Sequence, residues 1–179
     1  MQRRTAVKYL FVVAAGSAIL PSCLYKKDKA SLVFNHLDIN ATQEKLLAEI
    51  AETIIPAGAA PGARDTYAHL FVLRMVDDCY DAEKQHAFLK GLNETDGLAR
   101  KKFGTSFLQS HKQQRNEIVS LLENKRASEG AVDFYFMMKN LTIQGYLTSK
   151  PVLGNIFRYE LIPGRYNGFS PVNAVIHQA

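Results

Sequence analysis

Cysteine is nearly missing from this chain of 179 residues. Only Cys23 and Cys79 occur, too few for a disulfide-stapled miniprotein or a four-cysteine zinc site. No Gly-x-Gly pair is found, which removes both the dinucleotide fingerprint and the phosphate loop. Cys-x-x-Cys redox pairs and Cys-x-x-Cys-His haem attachments are absent as well. The five histidines, His36, His69, His86, His111 and His177, never stand three or four residues apart, the spacing by which one helix face presents two metal ligands. No residue sits in a recognisable nucleophile elbow. The expectation is therefore no catalytic residue and no metal site. Sustained apolar–polar alternation is lacking too, so no sheet is indicated. What remains is ordinary globular composition, 47% hydrophobic and 22% charged, which excludes collagen-like, mucin-like and disordered chains.

Charge is unevenly spread. Arg3, Arg4 and Lys8 begin a segment without acids, and removing it lowers the net charge from +5 to +2. A nucleic-acid partner is not implied by that balance. The basic start is followed by a charge-free run from Tyr9 to Tyr25, shorter in apolar residues than a spanning helix and closed by Pro21-Ser22-Cys23, which reads as a signal peptide over residues 1–22. Leu20-Pro21-Ser22-Cys23 resembles a bacterial lipobox, in which the Cys23 thiol takes a diacylglycerol and the new amino group an acyl chain. Several acyl chains make such anchoring stable; a plain secretory signal is the alternative. Arg3-Arg4 resembles the twin-arginine export signal, although Ala6 stands where a bulky residue is usual, so the general secretory route also fits. The chain is thus expected on the periplasmic side of a bacterial membrane. Residues 23–39, with Lys26-Lys27-Asp28-Lys29, read as a solvated tether.

From residue 40 to 179 the period is helical. Asn40 or Thr42 caps a helix carrying Leu46, Leu47, Ile50, Ile54 and Ile55, which Pro56 stops. Ala57–Ala63 contains Pro61-Gly62 and forms a loop. A second helix, from about Asp65 to Cys79, is apolar on most sides and is expected in the centre of the fold or against a partner. A third begins near Asp81 and ends near Gly104, with Gly91 and Gly97 weakening its middle. Ser110 and Gln113 suggest a capping box for a fourth, and a fifth starts near Ser128 and includes Met137-Met138 as core filling. The fold class is all-α, a bundle of about five helices with a long ordered C-terminal coil. That coil alternates turn formers with Phe157, Tyr159, Tyr166 and Phe169, and either covers its own core or lies against a second chain.

Two polar features have plain readings. Asp77-Asp78 are adjacent on a helix, point about 100° apart, and read as a solvated helix end. Cys79, without an intramolecular partner once Cys23 is lipidated, is either a buried thiol, the favoured reading, or half of an intermolecular disulfide.

Two stretches together resemble the gluconate 2-dehydrogenase subunit 3 family. One is Leu47-Ala-Glu-Ile-Ala-Glu-Thr-Ile-Ile-Pro56 leading into Ala60-Pro-Gly-Ala63. The other is Leu141-Thr-Ile-Gln-Gly-Tyr-Leu-Thr-Ser149 followed by Ile162-Pro-Gly-Arg-Tyr-Asn-Gly168. Phe103-Gly104 and Phe107 between them are also similar, so the resemblance spans about residues 40–170. It implies a non-catalytic accessory subunit that accompanies a large FAD-dependent dehydrogenase of the glucose-methanol-choline type, commonly with a multihaem cytochrome c. FAD and haem would belong to those partners, and this chain would bind no cofactor itself. The implied role is export, maturation and membrane delivery of the flavoprotein.

The residues in those stretches shape the chain rather than move protons. Pro56, Pro61, Gly62 and Gly145 set turns and close approaches, and Gly164 and Gly168 permit positive φ. The expected partner surface comprises the second helix with Tyr146, Phe157, Tyr159, Pro163, Gly164, Tyr166 and Phe169. Two other readings compete. A lipid-anchored helical protein of the same fold would serve a different partner. An enzyme in its own right would need His69, Arg74, Arg158 or Tyr166 to converge in a pocket.

Overall fold

A computed structural model describes residues 29–157, 159–162, 164 and 169. Among these residues the fold is all-α. Five helices, α1 Ala41–Ile54, α2 Ala68–Cys79, α3 Ala82–Phe103, α4 Lys112–Glu123 and α5 Glu129–Leu147, are joined by a 3-10 turn at Phe107–Gln109 and followed by a π-helical turn at Val152–Ile156. No helix among the described residues is long and apolar enough to cross a membrane.

Local chemistry accounts for the boundaries. Asn40 caps α1, its side chain accepting from the Gln43 N–H at 2.8 Å while Gln43 Oε1 accepts from the Asn40 N–H at 3.1 Å. This reciprocal box satisfies two donors that the first turn leaves unpaired. Asp81 caps α3 by accepting from Lys84 N–H at 2.9 Å. Gly104, at φ 73°, closes α3 in the left-handed conformation a glycine tolerates.

Several sequence expectations shift. α2 starts at Ala68 rather than Asp65, because residues 64–67 are taken up by the turn that ends the loop. α3 runs unbroken through Gly91 and Gly97. The box opening α4 is one residue later than expected, with His111 N–H donating to Gln114 Oε1 at 3.0 Å. Ser110 closes the preceding 3-10 turn instead, its N–H and hydroxyl both donating to Ser106 O. The chain beyond α5 is not wholly coil, since Val152–Ile156 form the π turn, with Val152 buried against the bundle.

α5 is the central element and packs against each of the other four helices. Its Phe134, Tyr135, Met138 and Leu141 meet Val72, Leu73 and Val76 of α2, Phe88 and Leu92 of α3, and Leu47 and Ile50 of α1 in one core. Phe88 and Phe134 cross at 4.9 Å between ring centroids, tilted by 58°. Gly91 permits that crossing, because a Cβ there would lie 2.3 Å from Phe134 Cβ and 2.5 Å from Gly130 O. At the other end of α5, a Cβ on Gly145 would lie 2.8 Å from the Phe71 ring. The close approach expected at Gly145 is real, and an aromatic side chain of α2 makes it. Met138 is fully buried, as core filling requires.

The ends of the bundle differ in what meets there. Ala63 N–H donates to Ile55 O and Ala68 N–H to Ala63 O, both at 2.9 Å, so the end of α1 turns directly into the start of α2. Residues 29–39 are tied elsewhere, to the start of α1 where Lys29 bridges Asn40 and to the last turn of α2 where Asp77 holds residues 35–37.

Candidate functional site

Among the described residues no group of three or more His, Cys, Asp or Glu could hold a metal ion, and two features stand out, one at each end of α2. At the first end the segment expected to be a solvated tether is instead docked from Lys29 onward. Lys29 and Asn40 form an antiparallel bridge, Leu37 and Ile39 enter the core, and Phe34 lies under the Arg74 guanidinium at 5.8 Å. Glu44, itself buried, accepts from Ser31 N–H at 2.6 Å and from its hydroxyl at 2.5 Å.

The strongest hold is Asp77. This residue is 1% exposed, so it is not the solvated helix end its sequence suggests; only Asp78 is exposed, facing Arg74 at 3.8 Å. Asp77 accepts the N–H groups of Asn35, His36 and Leu37 at 2.9, 2.7 and 2.9 Å. Burial pushes its carboxyl up, but the three backbone donors outweigh that and hold it below the usual carboxylate range. Cys79, expected to be buried, is exposed. It is the last residue of α2, one turn past Val76, and no neighbouring helix covers it there.

The second end is built on the Pro56–Tyr67 loop. Glu52 accepts from Ala57 N–H at 2.9 Å and from Arg64 N–H at 3.1 Å, bracing both arms. Gly62 passes so near that a Cβ would lie 2.5 Å from Glu52 Oε2, so its shape-setting role is a matter of space. Glu49 pairs with both Arg64 and Arg115, and Arg115 also donates to Phe107 O and Leu108 O, tying the loop to the 3-10 turn. A hollow of about 280 Å³ beside it is lined in part by Arg64 and Arg115, whose charge Glu49 already answers.

Tyr67 ends the loop at φ 55°, a left-handed conformation costly for a residue with a bulky side chain, and its ring is largely exposed. His69 lies beneath, its ring centroid 6.4 Å from that of Tyr67. It is buried, and its Nδ1 has no hydrogen-bond partner. Burial pushes its pKa down, opposed by the Glu44 charge and reinforced by Arg64, so the ring is held neutral.

Beyond α5 the surface is apolar and open. Ile143 and Leu147 on the last turns of α5, Ile156 in the π turn, then Phe157, Tyr159, Leu161 and Ile162 are all exposed, Ile162 by 85%. Val152 apart, the apolar side chains of the described tail are therefore turned to solvent rather than onto the bundle. Phe169 is exposed as well, and Tyr146 is packed partly against the core. Gly164 has open space around it and does not take the positive φ expected, Gly104 being the one described glycine that does. Pro163, Tyr166 and Gly168 lie outside the described residues, as do Arg158, Cys23, Arg3 and Arg4.

α2 does not join this surface to the extent its composition suggests. Ala68, Val72, Leu73 and Val76 are consumed inside the bundle, leaving Leu70, Phe71 and Met75 half-buried. His69 and Arg74 do not build a common pocket: His69 faces the Glu44 and Arg64 charges, while Arg74 covers Phe34. Asp77, Glu44 and Glu52, the carboxylates that organise both ends, carry no motif. Asp77 alone had a usable signal, one position in register with the buried pairs at 68–69 and 72–73.

Fold and surface together define a small helical bundle that presents an apolar end to its surroundings. The chain belongs to the gluconate 2-dehydrogenase subunit 3 family, whose model matches residues 41–164. That membership places it among the accessory subunits of dehydrogenase complexes and associates it with other subunits of gluconate dehydrogenase type. Neither curated proteins nor solved structures give a match to it.

Proposed function

We propose that this chain is the non-catalytic small subunit of a membrane-associated, FAD-dependent dehydrogenase acting on a sugar or sugar acid of the gluconate type. It assists export and maturation of the large flavoprotein, of glucose-methanol-choline type, and holds it to the membrane through lipid on Cys23. FAD, and haem where a cytochrome c subunit is present, reside in the partners. The observation that carries this reading is the family match over residues 41–164. The exposed apolar side chains Ile143, Leu147, Ile156 and Phe157 support it, because apolar surface left open on a small bundle is material for an interaction site. Permanent subunit interfaces are large and apolar, on the order of 1,000 Å² or more per partner, and this end of the bundle offers such chemistry.

Affinity purification from detergent-solubilised membranes of the native host, through a C-terminal tag on this chain, tests the proposal. A stoichiometric partner with flavin absorbance, identified by mass spectrometry as a glucose-methanol-choline flavoprotein, is the expected result. A colourless, solitary lipoprotein from a well-expressing culture overturns it and leaves a lipid-anchored protein with some other partner.

A further inference from the structure

The hollow between the Pro56–Tyr67 loop and the start of α4 carries one positive charge that the chain itself does not answer, and we propose that it receives a carboxylate side chain of a protein partner. This proposal rests on the reading of the chain as a subunit. The hollow brings Thr53 and Glu52 of α1 and Arg64 of the loop together with Lys112, Arg115 and Asn116 of α4. Lys112 and Asn116 stand one turn apart and so share a face of α4. Most of the charge is already matched. Arg115 is engaged through all of its nitrogens, on Phe107 O, Leu108 O and Glu49. Arg64 meets the same Glu49 at 2.9 Å. Glu49 and Glu52 thus balance the two guanidiniums. Asp65, in the same loop, accepts from Gly62 N–H at 3.0 Å and does not line the hollow. Lys112 is the surplus: it is exposed and has no ion pair among the described residues.

A surplus of one charge suits a monoanion. A phosphate dianion would bring a second negative charge against Glu52, which lines the same space. The walls are already braced, with Glu52 on the Ala57 and Arg64 N–H groups and Arg115 on the 3-10 turn, so little order has to be imposed when a ligand arrives. Size and exposure favour a side chain on a protein over a free acid. The volume of about 280 Å³ lies below the roughly 300–1,000 Å³ of pockets that enclose a whole small ligand. Lys112 and Asn116 are both exposed, and a free acid between them would stay wet. A carboxylate carried on a protein surface is shielded by that surface. Three residues from Arg64, Tyr67 is 65% exposed and held at φ 55°. Tyr and Arg are the residue types that anchor interfaces, and a non-glycine residue strained in this way belongs with functional turns.

The test uses the full chain purified from host membranes together with the protein that accompanies it. A water-soluble carbodiimide joins an amine to a carboxylate in contact with it, and the joined peptides are read by mass spectrometry. The expected product links Lys112 to an Asp or Glu of the other protein. Acetylation of Lys112 by an amine reagent should be several-fold slower in the complex than in the chain alone. Lys112→Glu should lower several-fold the salt concentration that strips half of the partner, and Lys112→Arg should restore it. Glu is favoured in the first turn of a helix, so the melting curve of the Lys112→Glu chain should not fall. Lys112 acetylated equally fast in both states, or linked only to a carboxylate of its own chain or of a second copy, overturns the docking. So does a Lys112→Glu chain that keeps its partner at the same salt concentration. A chain that purifies with no other protein overturns the subunit reading itself, a result distinct from a complex that forms and leaves Lys112 open.

Discussion

Two regions of this bundle are held by opposite means. At the strap, buried carboxylates do the holding: Asp77 takes three backbone N–H groups and Glu44 takes Ser31. After α5, by contrast, apolar side chains are left in contact with water, Ile156, Phe157 and Ile162 among them. An interaction saturated within the chain belongs to its own stability, and an apolar side chain left uncovered is available to something else. The contrast teaches that one region of the domain is finished and the other is not.

The comparison can be broken most forcefully at Asp77. Asp77→Ala leaves three N–H groups of the strap without their acceptor. Unfolding stability should fall by about 3 kcal/mol, since hydrogen bonds to charged groups are individually worth 1.5–3. Urea titration measures the loss, and amide exchange at Asn35, His36 and Leu37 locates it. Acid should do the same to the unaltered chain. The folded carboxyl titrates below its ordinary value of 3.8, so its contribution is fully present above that value and is lost as pH falls through the lower, folded one. Protection factors of the strap amides, with intrinsic exchange at each pH divided out, should therefore stay flat from neutrality to the ordinary value and fall beneath it.

Gly145→Val tests the apolar region from inside. Its Cβ would enter the Phe71 ring, forcing α2 and α5 apart at a cost of about 2 kcal/mol. The strap amides held by Asp77, which Gly145 does not touch, should keep their exchange protection. A smaller effect belongs to His69. Its folded pKa lies below 6.5, so the unfolded chain takes up the proton first and stability falls as pH drops below 6.5, until the folded value is reached. His69→Leu should remove that slope, read as the unfolding midpoint against pH. Smallest in stability is the triple change Leu147→Ser, Ile156→Ser and Phe157→Ser. Exposed positions of this kind move stability by roughly 0.5 kcal/mol or less. Co-purification of the proposed flavoprotein partner should nevertheless be lost. Retained partner together with an unchanged melting curve would show that the apolar end is not the docking surface.

Much of the helical plan was legible. Leu46, Leu47 and Ile50 announce α1 by period, Asn40 and Asp81 act as the caps their side chains permit, and Pro56 and Gly104 end helices for backbone reasons. The all-α class follows from these alone. Gly91 misled because helix propensity counts only its local cost, whereas its function is to admit Phe134 and the Gly130 carbonyl from α5. Cys79 misled because an apolar helix says nothing about where its covering neighbours stop. The pieces of the candidate surface were partly legible: Phe157 and Tyr159 are exposed as a partner surface needs, while Tyr67 and the Glu49–Arg115 tie could not be read from spacing across 66 residues.

By itself the sequence determined periodic helices, their caps and breakers, the stiff Pro-Gly loop, and the family to which those motifs belong, because each depends on chemistry within a few residues. Only the tertiary structure decided which polar groups are interior and which apolar groups are not. Asp77 and Asp78 are the same residue type side by side, yet one is buried under three backbone donors and the other faces Arg74 at the surface. Burial is a property of what packs from elsewhere in the chain, and residues 35–37, some forty positions upstream, supply it.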